Sequence, residues 1–281
     1  MSNKIAAVVV TYNRKECLIK NIKCLLNQTK KIDRIYIIDN ASTDGTRKFI
    51  SDYIDNNIIK YIYLEENIGG SGGFYTGIKE AYNDGFDFIW GMDDDAYADK
   101  NALKFLEEIR RKINENICLC SNCDNDREFY DEYKLVDCWM FVGFYISRTI
   151  IKKVGFPRKD FFIYHDDSEY AYRIIKNNYK IYKVKNSIIN HGNFNSREKY
   201  SKKLLNKIIE LPKMSNWKMY YYVRNGILKY KYNDKNKYRQ VFIYLPKFFI
   251  KLVILNRKQI NIFIKAYFHG IFGVSGKVMT P

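Results

Sequence analysis

The sequence predicts an α/β fold in which a mostly parallel sheet is covered by helices on both faces. Short runs rich in Val and Ile alternate with longer helical patterns over about the first 120 residues, the pattern of repeated strand–helix–strand units. Hydrophobic residues make up 47% of the 281 positions, enough for a sizeable core. The polar motifs follow predicted strands, and ligands bind at the carboxyl ends of such strands.

Four strands are predicted first, because each is a short apolar run of the kind that is buried in a parallel sheet: Ile5–Val10, Ile35–Ile38, Ile59–Leu64 and Phe86–Trp90. Helices are predicted between them over residues 15–28, about 45–55 and up to Asn83. The first has Leu18, Ile22 and Leu25 on one helical face.

The pattern becomes mixed after residue 100. We predict a helix over 100–113, strands near 117–120 and 136–146, a helix at 166–177, strands near 181–184 and 187–190, and basic helices from about 200 onward. The prediction is therefore one α/β domain over residues 1–200, which carries the polar motifs, with a helical extension over 201–281.

The charge is distributed unevenly between these two regions. The net charge is +17, yet residues 1–200 carry 31 basic against 29 acidic side chains, whereas residues 201–281 carry 17 against 2. The basic and aromatic extension is predicted to contact an anionic, partly apolar surface. No run reaches the roughly 18 apolar residues of a membrane-spanning helix.

The cysteines and the amino terminus bear on the cellular compartment. The first four residues lead directly into an apolar strand without a secretory signal, so we expect a cytoplasmic protein with free thiols. A zinc site at Cys118, Cys120 and Cys123 is conceivable, but the spacing matches none of the usual paired patterns.

Three adjacent carboxylates, Asp93, Asp94 and Asp95, follow the fourth predicted strand. They repel one another unless a cation or solvent compensates. Mg2+ or Mn2+ would bind one or two of them together with diphosphate oxygens. The alternative is a solvated acidic turn.

The segment Asn67–Phe74 carries four glycines in five positions and opens a helix. Its backbone can approach a ligand closely, and a helix amino terminus favours an anion. The alternative is a tight turn. It is neither a Walker A sequence nor a first-crossover GxGxxG.

Polar residues also end the first two strands. Thr11, Tyr12 and Asn13 end the first, and Asp39 opens the polar run after the second. Such side chains can bind a base and ribose, although each alone is more often a cap or turn residue.

A second acidic cluster, His165-Asp166-Asp167-Ser168-Glu169, begins a predicted helix. Inverting sugar transfer needs a base for the acceptor hydroxyl, and a carboxylate here could serve. His191 follows a strand; it is either structural or a metal ligand.

Together and in this order, the motifs resemble bacterial family-2 glycosyltransferases with the Rossmann-like GT-A fold. The resemblance covers roughly residues 5–192. It rests on Val8–Arg14, the Asp39–Thr46 string, the Asp93–Asp95 cluster and His165–Arg173. The strings Asn67–Phe74 and Tyr220–Asn225 are similar to the subgroup containing galactofuranosyltransferases and rhamnosyltransferases.

The resemblance implies roles for individual residues. Asp39 would bind uracil or ribose, Asp93 the ribose side and Asp95 the metal, with His191 as a second metal ligand. Asp167 would be the base, with Asp166 as the substitute. The complete set of expected binding residues is Thr11, Tyr12, Asn13, Arg14, Asp39, Asn67, Gly70, Asp93 and Asp94 for the nucleotide, and Trp139, His165 and Glu169 for the acceptor.

The predicted function is an inverting, metal-dependent transfer from a UDP-sugar, UDP-galactofuranose in the first instance, to a lipid-linked or glycan acceptor of cell-surface polysaccharide. A rhamnosyltransferase using dTDP-rhamnose, a nucleotidyltransferase and a non-catalytic nucleic-acid-binding protein are the alternatives. We expect no nucleic-acid partner, since no segment resembles a nucleic-acid module.

The extension is predicted to hold the enzyme on the inner face of the cytoplasmic membrane. An apolar helical face is expected at positions 241, 244, 245, 248, 252 and 255, with Lys247, Lys251 and Lys258 on another face to meet anionic headgroups. The alternative is that this face packs on the catalytic domain or forms a homo-oligomer.

Overall fold

The computed structural model describes residues 3–54, 57–113, 116–123, 130–191, 198–204, 207–233 and 240–280. The strands are β1 Ile5–Thr11, β2 Arg34–Asp39, β3 Ile59–Tyr63, β4 Phe88–Asp93, β5 Ala96–Ala98, β6 Cys118–Cys123, β7 Tyr133–Val136, β8 Phe144–Ser147, β9 Ile181–His191, β10 Lys199–Leu204 and β11 Lys207–Pro212. The helices are α1 Lys15–Leu26, α2 Thr46–Phe49, α3 Ser51–Ile54, α4 Gly69–Asn83, α5 Ala102–Ile113, α6 Arg148–Val154, α7 Asp166–Lys176, α8 Asn216–Asn233, α9 Leu245–Leu255 and α10 Ile260–Phe272.

A single large sheet with the order β3-β2-β1-β4-β8-β6-β9-β5 organises the fold, with β7 paired to β9. The pairs β1–β2, β2–β3, β1–β4 and β6–β9 are parallel, whereas β8 runs antiparallel to β4 and β6. The predicted α/β class is confirmed. The carboxyl ends of β1, β2 and β4 share one edge.

The sheet separates two hydrophobic cores, as the period of two along a strand requires. In β1, Ile5, Ala7 and Val9 face one core with α1 and α5. Ala6 and Val8 face the other with α4, α6 and α7. Cys118 and Cys120 lie in the second core and Cys123 in the first, so these thiols do not converge on a zinc site.

Several elements begin and end at other residues than predicted, because the neighbouring strand with which a segment pairs determines the limits of a strand. The strand predicted at 136–146 is two strands, β7 and β8, and the two short strands near 181–190 are one, β9. The helix predicted over 45–55 is divided into α2 and α3.

The extension was predicted to be helical from about residue 200, and this is wrong for its first part. Strands β10 and β11 form an antiparallel hairpin. Lys, Leu and Glu are good helix formers, but Pro212 cannot continue a helix, and backbone pairing overrides the local preference. Helices begin only at Asn216.

The helices of the extension build a third core with the hairpin and with Phe162 of the catalytic domain. Three residues of the predicted membrane-binding face are buried in this third core: Val241, Leu245 and Leu252. This part of the face therefore follows the alternative prediction, in which the face packs on the protein. Of the exposed large apolar side chains in the described part of the extension, four lie along α10: Ile264, Phe268, Ile271 and Phe272. Within the described residues, none of the helices combines the length and apolar character needed to cross a bilayer.

Candidate active site

The acidic turn between β4 and β5 forms one wall of the site. Strand β5 pairs with β9 so that Ala96 lies opposite His191, which places the imidazole next to Asp95. Nε2 of His191 is 3.0 Å from Oδ1 of Asp95. Ligand atoms of Asp93, Asp95 and His191 all lie within 4.8 Å of one another. The strand pairing thus assembles three metal-ligand groups from separate parts of the chain.

Arg14 and Thr11 hold the middle carboxylate of this turn. The Thr11 hydroxyl donates a hydrogen bond to Asp94 at 2.7 Å, and Nη1 of Arg14 lies 3.3 Å from Asp94 and 2.8 Å from Asp95. The buried Asn21 side chain donates to the backbone oxygens of Asp93 and Ala96. The side chain of Asp94 is therefore held by Thr11 and Arg14, whereas Asp95 contacts both Arg14 and His191.

The electrostatics of the turn favour a cation. Burial, with the charges of Asp94 and Asp95, raises the pKa of Asp93 to about 8. Burial also raises the pKa of Asp94 to about 6, although Thr11 and Arg14 lower it. For Asp95 the effect of burial is outweighed by His191 and Arg14, and its pKa is lowered. Two carboxylates and an imidazole fit a divalent ion such as Mn2+ or Mg2+.

The glycine-rich turn forms the next wall. Gly69 has φ +78°, and a Cβ there would overlap the backbone carbonyl of Phe162, so only glycine lets the turn approach that segment. The Asn67 side chain accepts a hydrogen bond from Gly69 N at 2.8 Å. A Cβ at Gly70 would meet open space, because this residue faces the cleft.

The opposite wall is the start of α7. The residues Asp166 and Asp167 both line the cleft. Burial, followed by repulsion from Asp167, raises the pKa of Asp166 to about 7. Burial also raises the pKa of Asp167. A carboxylate made more basic in this way suits the removal of a proton from a hydroxyl.

Two adjoining cavities make up the cleft. The larger, of about 440 Å3, is lined by the three metal-ligand groups, Asp166 and Asp167. The smaller, of about 290 Å3, is lined by Thr11, Tyr12, Asn40, Asn67 and Asp94 among others. Both have Arg14, Gly70, Asp93, Ile163 and Lys218 in their walls.

Some expected binding residues lie outside both cavities. Asp39 is buried and accepts hydrogen bonds from the Tyr61 hydroxyl at 2.5 Å and from Ser42 N at 2.8 Å. Asn13 accepts one from Thr43 N, which ties the loops after β1 and β2 together.

Of the residues expected to bind the acceptor, Trp139 and Glu169 are buried and His165 is half-buried. Trp139 packs against Phe144 and Tyr170, and Glu169 is buried in an ion pair with Arg173 at 2.8 Å. Burial lowers the pKa of His165 to about 3, so this imidazole is neutral. These contacts give the three side chains structural roles, and their assignment to the acceptor stays a prediction.

Sequence reasoning missed Trp217 and Lys218, which line the cleft from the start of α8. It also missed Tyr164 and the apolar segment Met140–Val142 in the larger cavity. No local pattern distinguishes these residues, since neighbouring Lys and aromatic residues occur throughout the extension. Their position beside the cleft follows from the packing of α8.

Comparison with known proteins supports a sugar-transferring site. The chain is 33% identical over 103 residues to galactofuranosyltransferase GlfT1 of Mycolicibacterium smegmatis, a match that covers 36% of this chain and 33% of that protein. The matched region thus spans about a third of the length of the curated relatives found first.

Solved structures extend the likeness to the whole fold. Staphylococcus aureus TarS 1–349 in complex with UDP-GlcNAc has a TM-score of 0.58 at 15% identity, covering 95% of this chain and 81% of that chain. The mannosyltransferase PcManGT from Pyrobaculum calidifontis, in complex with GDP-Man and Mn2+, has a TM-score of 0.65 at 11% identity, covering 98% and 88%.

The family model named glycosyl transferase family 2 matches residues 6–252. The match gives no support to the alternatives of a nucleotidyltransferase or a non-catalytic nucleic-acid-binding protein. Because this match spans most of the chain, it shows that the chain belongs to glycosyl transferase family 2.

Proposed function

We propose that this glycosyltransferase is a metal-dependent, inverting enzyme that transfers a sugar from a UDP-sugar, with UDP-galactofuranose as the first candidate. The observation that carries the proposal is the juxtaposition, in one cleft, of the Asp93–Asp95–His191 group with Asp166 and Asp167. The first supplies ligands for a metal at the diphosphate, and the second supplies a base for the acceptor.

In the proposed reaction, Asp167 accepts the proton of the acceptor hydroxyl while that oxygen attacks the anomeric carbon. The bond from the anomeric carbon to the diphosphate oxygen breaks, and its electron pair leaves with the nucleoside diphosphate. A bound Mn2+ or Mg2+ would be held by Asp93, Asp95 and His191 and would supply Lewis-acid stabilisation of that charge. The base acts from the face opposite to the leaving group, which inverts the anomeric centre.

The similarity to GlfT1 supports galactofuranose as the sugar, and dTDP-rhamnose is the second candidate. TarS and PcManGT were solved with different nucleotide-sugars, so the fold alone does not select one. Thermal-shift and turnover screening against UDP-, dTDP- and GDP-sugars with Mn2+ or Mg2+ tests the donor. Turnover of a GDP-sugar, with neither turnover nor a thermal shift from UDP-sugars, would refute the proposal that the donor is a UDP-sugar.

The proposed acceptor is a lipid-linked or glycan acceptor of cell-surface polysaccharide, used at the inner face of the cytoplasmic membrane. Support comes from α10, where Phe268 is 50% and Phe272 74% exposed at helical spacing with Ile264 and Ile271. The exposed Lys247 and Lys251 lie on α9 and the exposed Lys265 lies on α10. The positive charges of these lysines complement anionic headgroups.

Liposome flotation of the full chain tests this attachment. Binding to anionic liposomes at low salt should be lost in the double variant Phe268→Asp/Phe272→Asp. It should be kept in Phe49→Asp, because Phe49 is similarly exposed (48%) but lies on α2. A wild-type protein that stays unbound would refute the membrane proposal, and a concentration-dependent dimer sensitive to the same variants would favour a homo-oligomer.

A further inference from the structure

The junction between the two cavities is the part of the cleft that a nucleotide-sugar must cross. Its charged residues are Arg14, Asp93 and Lys218, which line both cavities. If the nucleoside occupies the smaller cavity and the sugar the larger, the diphosphate that joins them lies at this junction. In that arrangement, the three charged residues of the junction are the ones that face the two phosphates.

The two cationic side chains at the junction, Arg14 and Lys218, differ in their contacts with carboxylates. Arg14 is engaged by Asp94 and Asp95. Within the described ranges, Lys218 has neither an ion pair nor a hydrogen bond for its ammonium group, whose Nζ lies 5.4 Å from the centre of the Trp217 ring. Lys218 is half-buried, and it is thus a cation that faces the cleft without a carboxylate partner.

The position of Lys218 in its helix also favours an anion nearby. It is the third residue of α8, Asn216–Asn233, and the first turn of a helix carries partial positive charge. A lysine there is unfavourable for the helix by itself. An anion beside it is favoured both by the ammonium group and by the free backbone N–H groups.

We propose that Lys218 binds the diphosphate of the nucleotide-sugar and stabilises the charge that develops on it, so that the C-terminal extension supplies a residue of the donor site. This inference rests on the proposed function. When the glycosidic bond to the diphosphate oxygen breaks, the bonding electrons leave with that oxygen, and the nucleoside diphosphate gains one negative charge. A preorganised cation at that oxygen stabilises the transition state more than the ground state.

Calorimetry with three variants and two probes tests the proposal. The probes are the nucleoside diphosphate that binds wild type most tightly among UDP, GDP and dTDP with Mn2+, and its parent nucleoside. The Lys218→Met variant should bind the diphosphate about 10- to 100-fold more weakly, the range for a lost charge-assisted hydrogen bond. Its nucleoside affinity should be unchanged, and Lys218→Arg should recover most of the loss.

Lys213→Met is the matched control. Lys213 is exposed, pairs with Glu198 at 2.8 Å and lines neither cavity, so the same loss of charge should leave both affinities unchanged. Thermal melting of each variant verifies that folding is retained. Equal diphosphate affinity in Lys218→Met and wild type would overturn the proposed role of Lys218, and so would an equal loss of affinity for the diphosphate and the nucleoside. Neither result would affect the proposed function. Wild-type protein that binds no nucleoside diphosphate would overturn the proposed function itself.

Discussion

Asn225 of α8 holds the backbone segment that leads into the candidate base. Its amide nitrogen donates to the carbonyl oxygens of Phe161 and Ile163 at 2.7 Å and of Tyr164 at 3.1 Å. We expect Asn225→Ala to destabilise the protein and to lower turnover, because this segment ends directly before Asp166.

The magnitude follows from the conformation of the segment. Phe162, at φ 68° and ψ −61°, is the centre of a strained γ-turn closed by Ile163 N to Phe161 O at 2.9 Å. Tyr164 and His165 also have positive φ, and each such residue costs on the order of 1 kcal/mol or more. The hydrogen bonds from Asn225 offset this strain.

Removing the amide deprives the Ile163 carbonyl of its hydrogen bond from Asn225, while Phe161 O keeps a hydrogen bond from Arg224 at 3.2 Å. A buried polar group without a partner costs about 1–3 kcal/mol. The free energy of unfolding should therefore fall by about 1–3 kcal/mol for the Ile163 carbonyl.

Urea unfolding and turnover with saturating donor are the measurements. Asn177→Ala is the control, since Asn177 is exposed and its amide donates only to Arg173 O at 2.9 Å, at the end of α7. It should cost less than about 1 kcal/mol. If Asn225→Ala unfolded with nearly wild-type free energy and kept its turnover, the hydrogen bonds from α8 would not be what maintains the strained segment.

Three further predictions concern the cleft. Asp95→Ala should weaken nucleoside diphosphate binding strongly in the presence of Mn2+, measured by calorimetry, because it removes a metal ligand. Asp167→Asn should lower turnover by about 10²–10⁴-fold, the usual contribution of a general base, and leave nucleotide binding nearly intact. The raised pKa values of Asp93 (about 8) and Asp166 (about 7) mean that the metal-free folded state binds more protons than the unfolded state. Its thermal stability should therefore fall from pH 6.5 to 8.5, and Mn2+ should stabilise most at the upper end.

Each prediction has a result that contradicts it. Equal diphosphate affinity with metal and with chelator would remove the metal from the mechanism. Near-normal turnover of Asp167→Asn would transfer the role of base to Asp166. A melting temperature that rises steadily with pH in chelator would show that the buried carboxylates are not protonated in the folded state.

The structure also changes the relation between the two predicted regions. Residues 201–281 are predicted as an extension of the catalytic domain, and Arg224 of this extension is fully buried and donates to the carbonyls of Phe161 and Gly276. The first turn of α8 lines the cleft as well. Residues after 200 therefore contribute to the candidate active site. The domain boundary at residue 200 stays a prediction.

The sequence by itself determined the α/β class, the strand ends where the polar motifs lie, and the two acidic clusters. These follow from local patterns: apolar runs predict buried strands, and carboxylates directly after a strand must lie at its carboxyl end. The resemblance implied that His191 and Asp95 bind one metal, and the tertiary structure supplied the pairing of β5 with β9 that brings them together. Only the tertiary structure decided that Lys218 lines the cleft. It also decided that Asp39, Trp139 and Glu169 turn inward to Tyr61, Phe144 and Arg173. Such contacts join residues distant in the chain, and they form only when the sheet and the helices pack, so no local periodicity encodes them.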